Sequence, residues 1–257
     1  MLFVKKYRLL PIVVLLALIF SQELISQEEV LLKGTFNAGF EAGVQFTSVD
    51  DPYMSMSDGG TGYSAGAFIE YFLQEKIKIR GGLYLDNRAF KLQDVGIIVG
   101  DSGYVGKSSY YDVLEKFKVN YLTIPLSLIY VTGSDKFKIY IQGTVYYSLL
   151  LNANQTGYID VYISEEDAPH FYFEDFPELN VPGHHQLNPN VQIFNTSDIG
   201  INILFGGIYY IKPNLGITLS PGFTYSFSNV WENPERNASW SRLYKINAGI
   251  IFSLGSK

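Results

Sequence analysis

Long runs of the chain alternate between apolar residues and small or polar ones. From Leu215 to Phe227 the odd positions Leu215, Ile217, Leu219, Pro221, Phe223, Tyr225 and Phe227 are apolar, and every residue between them is Gly, Thr or Ser. A period of two marks a strand with one apolar and one wet face. The run is longer than an ordinary strand of about 5 or 6 residues. It suits a strand that crosses a bilayer at a slant, which takes roughly 9 to 11.

The same device predicts strands over Thr35–Phe46, Gly62–Leu73, Ile77–Arg88, Phe117–Val131, Phe137–Leu149, Asp198–Ile211 and Arg242–Leu254, eight in all with the first. The connections alternate. Long ones fall at 47–61, 89–116, 152–196 and 229–241, and tight turns at Gln74–Lys76, Gly133–Ser134 and Lys212–Asn214. The 89–116 connection reads as a hairpin extension with a flexible tip. In the fourth strand Phe117 and Val119 are out of phase with Leu122, Ile124, Leu126 and Leu128, which predicts a bulge near Asn120. Pro125 cannot donate to a ladder and calls for a bulge or irregular pairing.

An even strand count with alternating long and short connections is the pattern of an eight-stranded antiparallel up-and-down transmembrane β-barrel. Its four long loops lie outside the cell, and its three short turns and both termini lie in the periplasm. A soluble eight-stranded barrel would carry charge on its outer face. Here the non-apolar face is mostly Gly, Ser, Thr and Asn.

Composition agrees: charged residues are 17% and aromatics 16%, with 20 Tyr, 18 Phe and 24 Gly, against about 25% charge in a typical soluble protein. The absence of cysteine excludes disulfides, thiolate metal sites and a Cys nucleophile. The net charge of −6 argues against nucleic acid as a partner. At the N-terminus, Lys5, Lys6 and Arg8 precede an apolar run from Leu9 to Phe20. This is the layout of a secretory signal peptide and too short for a spanning helix. It predicts a cleaved segment 1–26, an outer-membrane domain over 27–257, and export to the bacterial outer membrane. The mature chain would keep 16 bases and 24 acids.

The segment Tyr121–Tyr130, YLTIPLSLIY, set among Gly- and Tyr-rich strands behind that leader, resembles the Tyr-Leu-x-Ile-Pro-Leu strand of the PorT-like family of Gram-negative outer-membrane β-barrel proteins. The resemblance implies fold and compartment. It carries no catalytic residues.

An eight-stranded barrel has room inside only for side chains, and the wet face supplies bulky ones, Phe68, Phe72, Tyr84, Tyr140, Tyr146 and Tyr210. The inward acids Glu41, Glu70, Asp86 and Asp198 nearly balance the inward bases Lys78, Arg80, Arg88, Lys138 and Lys245. Near-balance favours paired ions over a selective ring of one sign. The expected lumen ion-pair network comprises Glu41, Glu70, Lys78, Arg80, Asp86 and Arg88. With a three-residue turn Leu73 pairs with Ile77, which sets Glu70 against Arg80 and Phe68 over Gly82. Tyr63, Tyr71, Tyr130, Tyr147, Tyr209, Tyr225 and Phe252 are candidates for interfacial girdles.

Candidate chemistry is sparse. His170, His184 and His185 sit in the 152–196 connection, which holds seven acids and no Lys or Arg. Solvated histidines are the expectation there, with no metal and no cofactor. Ser197, Asp198 and His185 are the only candidates for a rim nucleophile and its partners. The reading is therefore a non-enzymatic structural or interaction protein in contact with outer-membrane lipid and lipopolysaccharide, which meets a protein partner or surface through 152–196 and 89–116. A narrow porin-like channel and a lipid-modifying barrel enzyme are the alternatives.

Overall fold

The computed structural model describes residues 34–50, 56–99, 105–167, 183–186, 194–232 and 239–254. The expected signal segment and His170 lie outside them. The strands are β1 (Phe36–Asp50), β2 (Met56–Gln74), β3 (Ile77–Val99), β4 (Val105–Gly133), β5 (Phe137–Tyr162), β6 (Gly183–Gln186), β7 (Ser197–Lys212), β8 (Leu215–Ser226) and β9 (Trp240–Leu254). Eight of them form a ring in the order β4-β3-β2-β1-β9-β8-β7-β5, closed by antiparallel β4–β5 pairing. The four-residue β6 pairs only with the far end of β5, at Tyr158–Val161. Closure pairs every wall strand on both sides, which a strand in lipid requires.

The alternation sorts the faces. Phe40, Ile69, Leu83, Leu126, Val145, Phe205, Leu219 and Ile250 point outward and are exposed, as lipid-facing residues must be. Along β4 the outward face reads Tyr130, Leu128, Leu126, Ile124, Leu122 and then changes to Asn120, Lys118 and Lys116. This bounds an apolar band of roughly 20 Å at about 3.3 Å per residue and a tilt near 40°, close to the height expected of a barrel wall. Tyr71, Tyr130, Tyr209 and Phe252 stand near the turn end of the band, and Tyr63, Tyr147 and Tyr225 near the other.

Four details differ from the sequence expectation. The wall strands outrun the alternating segments: β4 is 29 residues long, about three times a crossing. Most of the 89–116 connection and the first part of 152–196 are β3, β4 and β5 continued, with Ile97 still opposite Tyr110 and Tyr110 opposite Tyr162. Periodicity hides this because beyond the membrane both faces become mixed. Second, the bulge belongs to β5. Asn120 pairs with Asn152 and Tyr121 with Leu150, which leaves Leu151 as the extra residue. β4 itself keeps its phase, and Phe117 and Val119 point inward with 1% exposure each.

The β2–β3 turn is the third: Gln74, not Leu73, pairs with Ile77, and a bulge between Phe72 and Gln74 restores the register. The interior pairs Glu70↔Arg80 and Phe68↔Gly82 are the same by either route. The last concerns Phe68, whose ring leans over Gly39 of β1, while the Tyr84 ring lies beside Gly82. Pro125 sits in an interrupted ladder without a bulge. β3 and β4 pair at Gly81↔Leu126 and Tyr84↔Thr123 and skip the two positions between, where proline has no N–H to offer. Pro221 does the same between β7 and β8, which pair at Leu204↔Gly222 and Gly207↔Leu219.

Candidate functional site

The interior brings ionisable side chains of several strands together, and it is layered along the barrel axis. Nearest the turn end, one cross-strand row carries Asn37 of β1, Glu70 of β2 and Arg80 of β3. Glu70, 1% exposed, accepts from Arg80 Nε at 3.0 Å and Nη2 at 2.6 Å on Oε1, and from Lys78 Nζ at 2.9 Å and Asn37 Nδ2 at 3.1 Å on Oε2. Arg80 Nη1 also donates to Glu41 Oε2 at 3.3 Å, and Asn247 Nδ2 to Glu41 Oε1 at 3.4 Å. Rings cover the cations: the Arg80 guanidinium is 4.0 Å from the Phe68 centroid, and the Lys78 ammonium 4.5 Å from that of Phe72. The alternation aims all of these groups inward, and burial then obliges them to pair, since an unpaired charge here would cost several kcal/mol.

Arg88 belongs to a second set. Its Nη1 lies 2.5 Å from Asp198 Oδ2, and the same carboxylate accepts from Tyr146 Oη at 3.0 Å and from Ser226 Oγ. Tyr121 lies 4.5 Å from the guanidinium. Asp86 joins neither set. It lines, with Glu41, Arg80, Arg88 and Lys245, a cavity of about 40 Å³, room for a few waters. So the six residues singled out in the sequence divide into a group of four, an Arg88 whose partner is Asp198, and an Asp86 that shares the cavity wall with Lys245. Asp198, Asn37 and Asn247 are members that the pattern did not assign to the network; Asp198 and Asn247 meet partners from strands distant in sequence, and Asn37, an uncharged neighbour of Glu70 on the adjacent strand, carried no charge to mark it. The next cavity, about 20 Å³, reaches from Arg88 and Asp198 to Phe90 and Val230.

Above this pair the lumen turns apolar. Val49, Phe90, Leu92, Phe117, Val119, Tyr121, Phe194 and Trp231 form one buried cluster. The four rings Phe90, Phe117, Phe194 and Trp231 have mutual centroid distances of 4.9 to 6.4 Å, in the range of favourable aromatic contact. Phe194 precedes β7 and Trp231 follows β8, and the two residues make an isolated antiparallel bridge. Trp231 Nε1 donates to Ser239 Oγ at 3.0 Å. The out-of-phase Phe117 and Val119 were the sequence signal for this cap.

The rim candidates do not assemble. His185 lies opposite Ile159 and Ser197 opposite Leu149, ten residues apart on β5, roughly 33 Å at about 3.3 Å per residue. Asp198 is spent on Arg88. His184 Nδ1 is 2.7 Å from Asp160 Oδ1 and its ring packs on Tyr158 at 4.7 Å. Among the described residues no three His, Asp or Glu side chains come together as a metal site.

Residues 20–256 match the family model described as an outer membrane protein beta-barrel domain. Among curated proteins none matches. Among solved structures the chain is similar to Neisserial surface protein A, with 13% identity, TM-score 0.40, and coverage of 85% of this chain and 97% of that one. It is similar to Ail, the attachment invasion locus protein of Yersinia pestis, crystallised with the heparin analogue sucrose octasulfate, with 10% identity, TM-score 0.38, and coverage of 86% and 99%. OprG from Pseudomonas aeruginosa matches with 12% identity, TM-score 0.40, and coverage of 87% and 97%.

Proposed function

The chain belongs to the outer membrane β-barrel family, and from that premise we propose that it is a closed, non-enzymatic anchor that holds an extracellular β-sheet above the bilayer for contact with a partner or surface. The observation that carries this is the filled lumen. A layer of ion-paired side chains, two cavities of about 40 and 20 Å³ and an apolar cap follow one another from the turn end to the extended end. A conducting pore needs a continuous wet path, and the cap of four rings stands across it. What the wall then has to offer is the continuation of β3, β4 and β5 with β6 attached, placed outside the cell with the turns in the periplasm. Within the family, the YLTIPLSLIY strand supports membership among PorT-like proteins, and the leader supports export with cleavage near residue 26. The spacing of His185 from Ser197 weighs against the lipid-modifying enzyme. Planar-bilayer recording from refolded protein tests the reading: no unitary conductance is expected, and steady channels would reject it. Deleting 163–193 should leave the barrel folded by its heat-modifiable gel mobility while abolishing adhesion of intact cells.

A further inference from the structure

We infer that the outer wall carries a binding site for the phosphorylated headgroup of an outer-leaflet lipid such as lipopolysaccharide, built from Lys91, Lys116 and Lys118 above a sill of asparagines. This rests on the proposed orientation, with the extended end outside.

The site begins where the apolar band stops. Across β3, β4 and β5 the first outward row past Leu85 and Leu122 is Asn87, Asn120 and Asn152. Asn87 Nδ2 donates to Asn120 Oδ1 at 2.7 Å and Asn120 Nδ2 to Asn152 Oδ1. The side-chain amides are thus tied into a chain along the membrane edge. The next row is Ala89, Lys118 and Asn154, and the one after it Lys91, Lys116 and Thr156. All three lysines are exposed on the same face of the wall. Lys118 lies four residues beyond Leu122, roughly 10 Å above the band once about 3.3 Å per residue and a tilt near 40° are applied. A lysine stem there can bring its ammonium down into the headgroup layer.

Two features select the occupant. Lys91 and Lys116 face each other directly across the β3–β4 ladder, a like-charge pair that destabilises a sheet unless an anion bridges it. Among the described residues none of the three makes an ion pair, even though Asp58 stands across from Lys91 on β2. By contrast Arg242, the outward base at the same level on β9, is already paired with Asp50. The surface is continuous with the lipid-facing wall, so the anion that can reach all three ammoniums is one held at the bilayer surface.

The test uses the full mature protein refolded into phosphatidylcholine nanodiscs doped with bisphosphorylated lipid A or its dephosphorylated form, with bound lipid counted by native mass spectrometry. Wild type should retain the bisphosphorylated lipid selectively, and affinity should fall about fivefold for each lysine changed to Gln, most in the triple variant Lys91→Gln/Lys116→Gln/Lys118→Gln. Lys136→Gln, at the turn end, should change nothing. Equal retention by the triple variant, equal retention of the dephosphorylated lipid, or displacement by millimolar inorganic phosphate would each overturn the site. Heat-modifiable gel mobility verifies that each variant is folded. Orientation is read separately, by labelling Glu165→Cys on intact cells with an impermeant maleimide. Failure there rejects the topology and leaves the nanodisc result standing on its own.

Discussion

Arg80 places two nitrogens, Nε and Nη2, on the single oxygen Oε1 of Glu70, at 3.0 and 2.6 Å, directly across the β2–β3 ladder. That arrangement leaves Oε2 free for Lys78 and Asn37, so one carboxylate satisfies two buried cations. Glu41 holds the remaining nitrogen, Nη1, of the same guanidinium by one longer contact of 3.3 Å.

Glu70 is therefore the member whose loss the barrel tolerates least. Glu70→Gln leaves Lys78 and Arg80 buried without their shared anion, and should cost about 3–5 kcal/mol in urea unfolding from lipid vesicles. Glu41→Gln, which removes the charge behind a single 3.3 Å contact to Arg80 and keeps one acceptor oxygen, should cost less. Equal costs would mean that the two carboxylates share the cations evenly.

The cap depends on rings from two separate connections. Trp231→Ala should remove about 3–5 kcal/mol of packing from the extended end and leave the charge layer below untouched. The expected readout is faster protease cleavage between β8 and β9 with unchanged heat-modifiable mobility. Phe194→Ala should give the same phenotype, and the double variant should cost less than the sum of the two, because the two rings share one mutual contact while each also packs on Phe90 and Phe117.

Two glycines should respond in opposite ways. A Cβ at Gly206 would meet the Tyr140 ring, whereas a Cβ at Gly81 would meet nothing within 4 Å. Gly206→Ala should destabilise by about 1–3 kcal/mol through overpacking, and Tyr140→Ala in the same chain should relieve much of it. Gly81→Ala, on the lipid face, should be neutral or stabilising in the same unfolding assay.

Tyr111, in the part of β4 beyond the membrane, has its phenol pushed above the usual tyrosine value by desolvation and by the hydrogen bond it donates to Asp94 Oδ2 at 3.0 Å. A group whose folded value is raised stabilises the fold below its unfolded value and loses that contribution as pH rises through the folded one. The β3–β4 extension should therefore loosen above about pH 10, seen as accelerated hydrogen exchange there. Tyr111→Phe should remove this alkaline step, and its persistence would assign it to another group.

Much of the wall was legible in the chain because a wall in lipid obeys a strict period of two. Leu215–Phe227 needs no partner to announce that one face is apolar. The pairing Glu70↔Arg80 was legible as well, since a hairpin register follows from a short turn, and the bulge at Leu73 compensates for the turn being one residue tighter. The signal failed where that environment ends. At Phe117 and Val119 apolar residues return to the inward face, and the change of phase mimics a bulge. The backbone is regular there, and the lumen is what changes, from wet to dry. The real bulge, at Leu151, is silent in sequence because its neighbours Leu149 and Leu150 are apolar as well.

By itself, then, the sequence determined the class of wall, the number of crossings and which residues face inward, all consequences of local alternation against a bilayer. Ring closure decided which residues of strands distant in sequence meet inside. Arg88 finds Asp198, 110 residues away, and the Phe194 and Trp231 rings at the mouth of the β7–β8 hairpin find Phe90 and Phe117 of β3 and β4, because pairing β4 with β5 and β1 with β9 brings strands distant in sequence around one narrow lumen. Buried charges and rings there must take whichever partners the curvature presents.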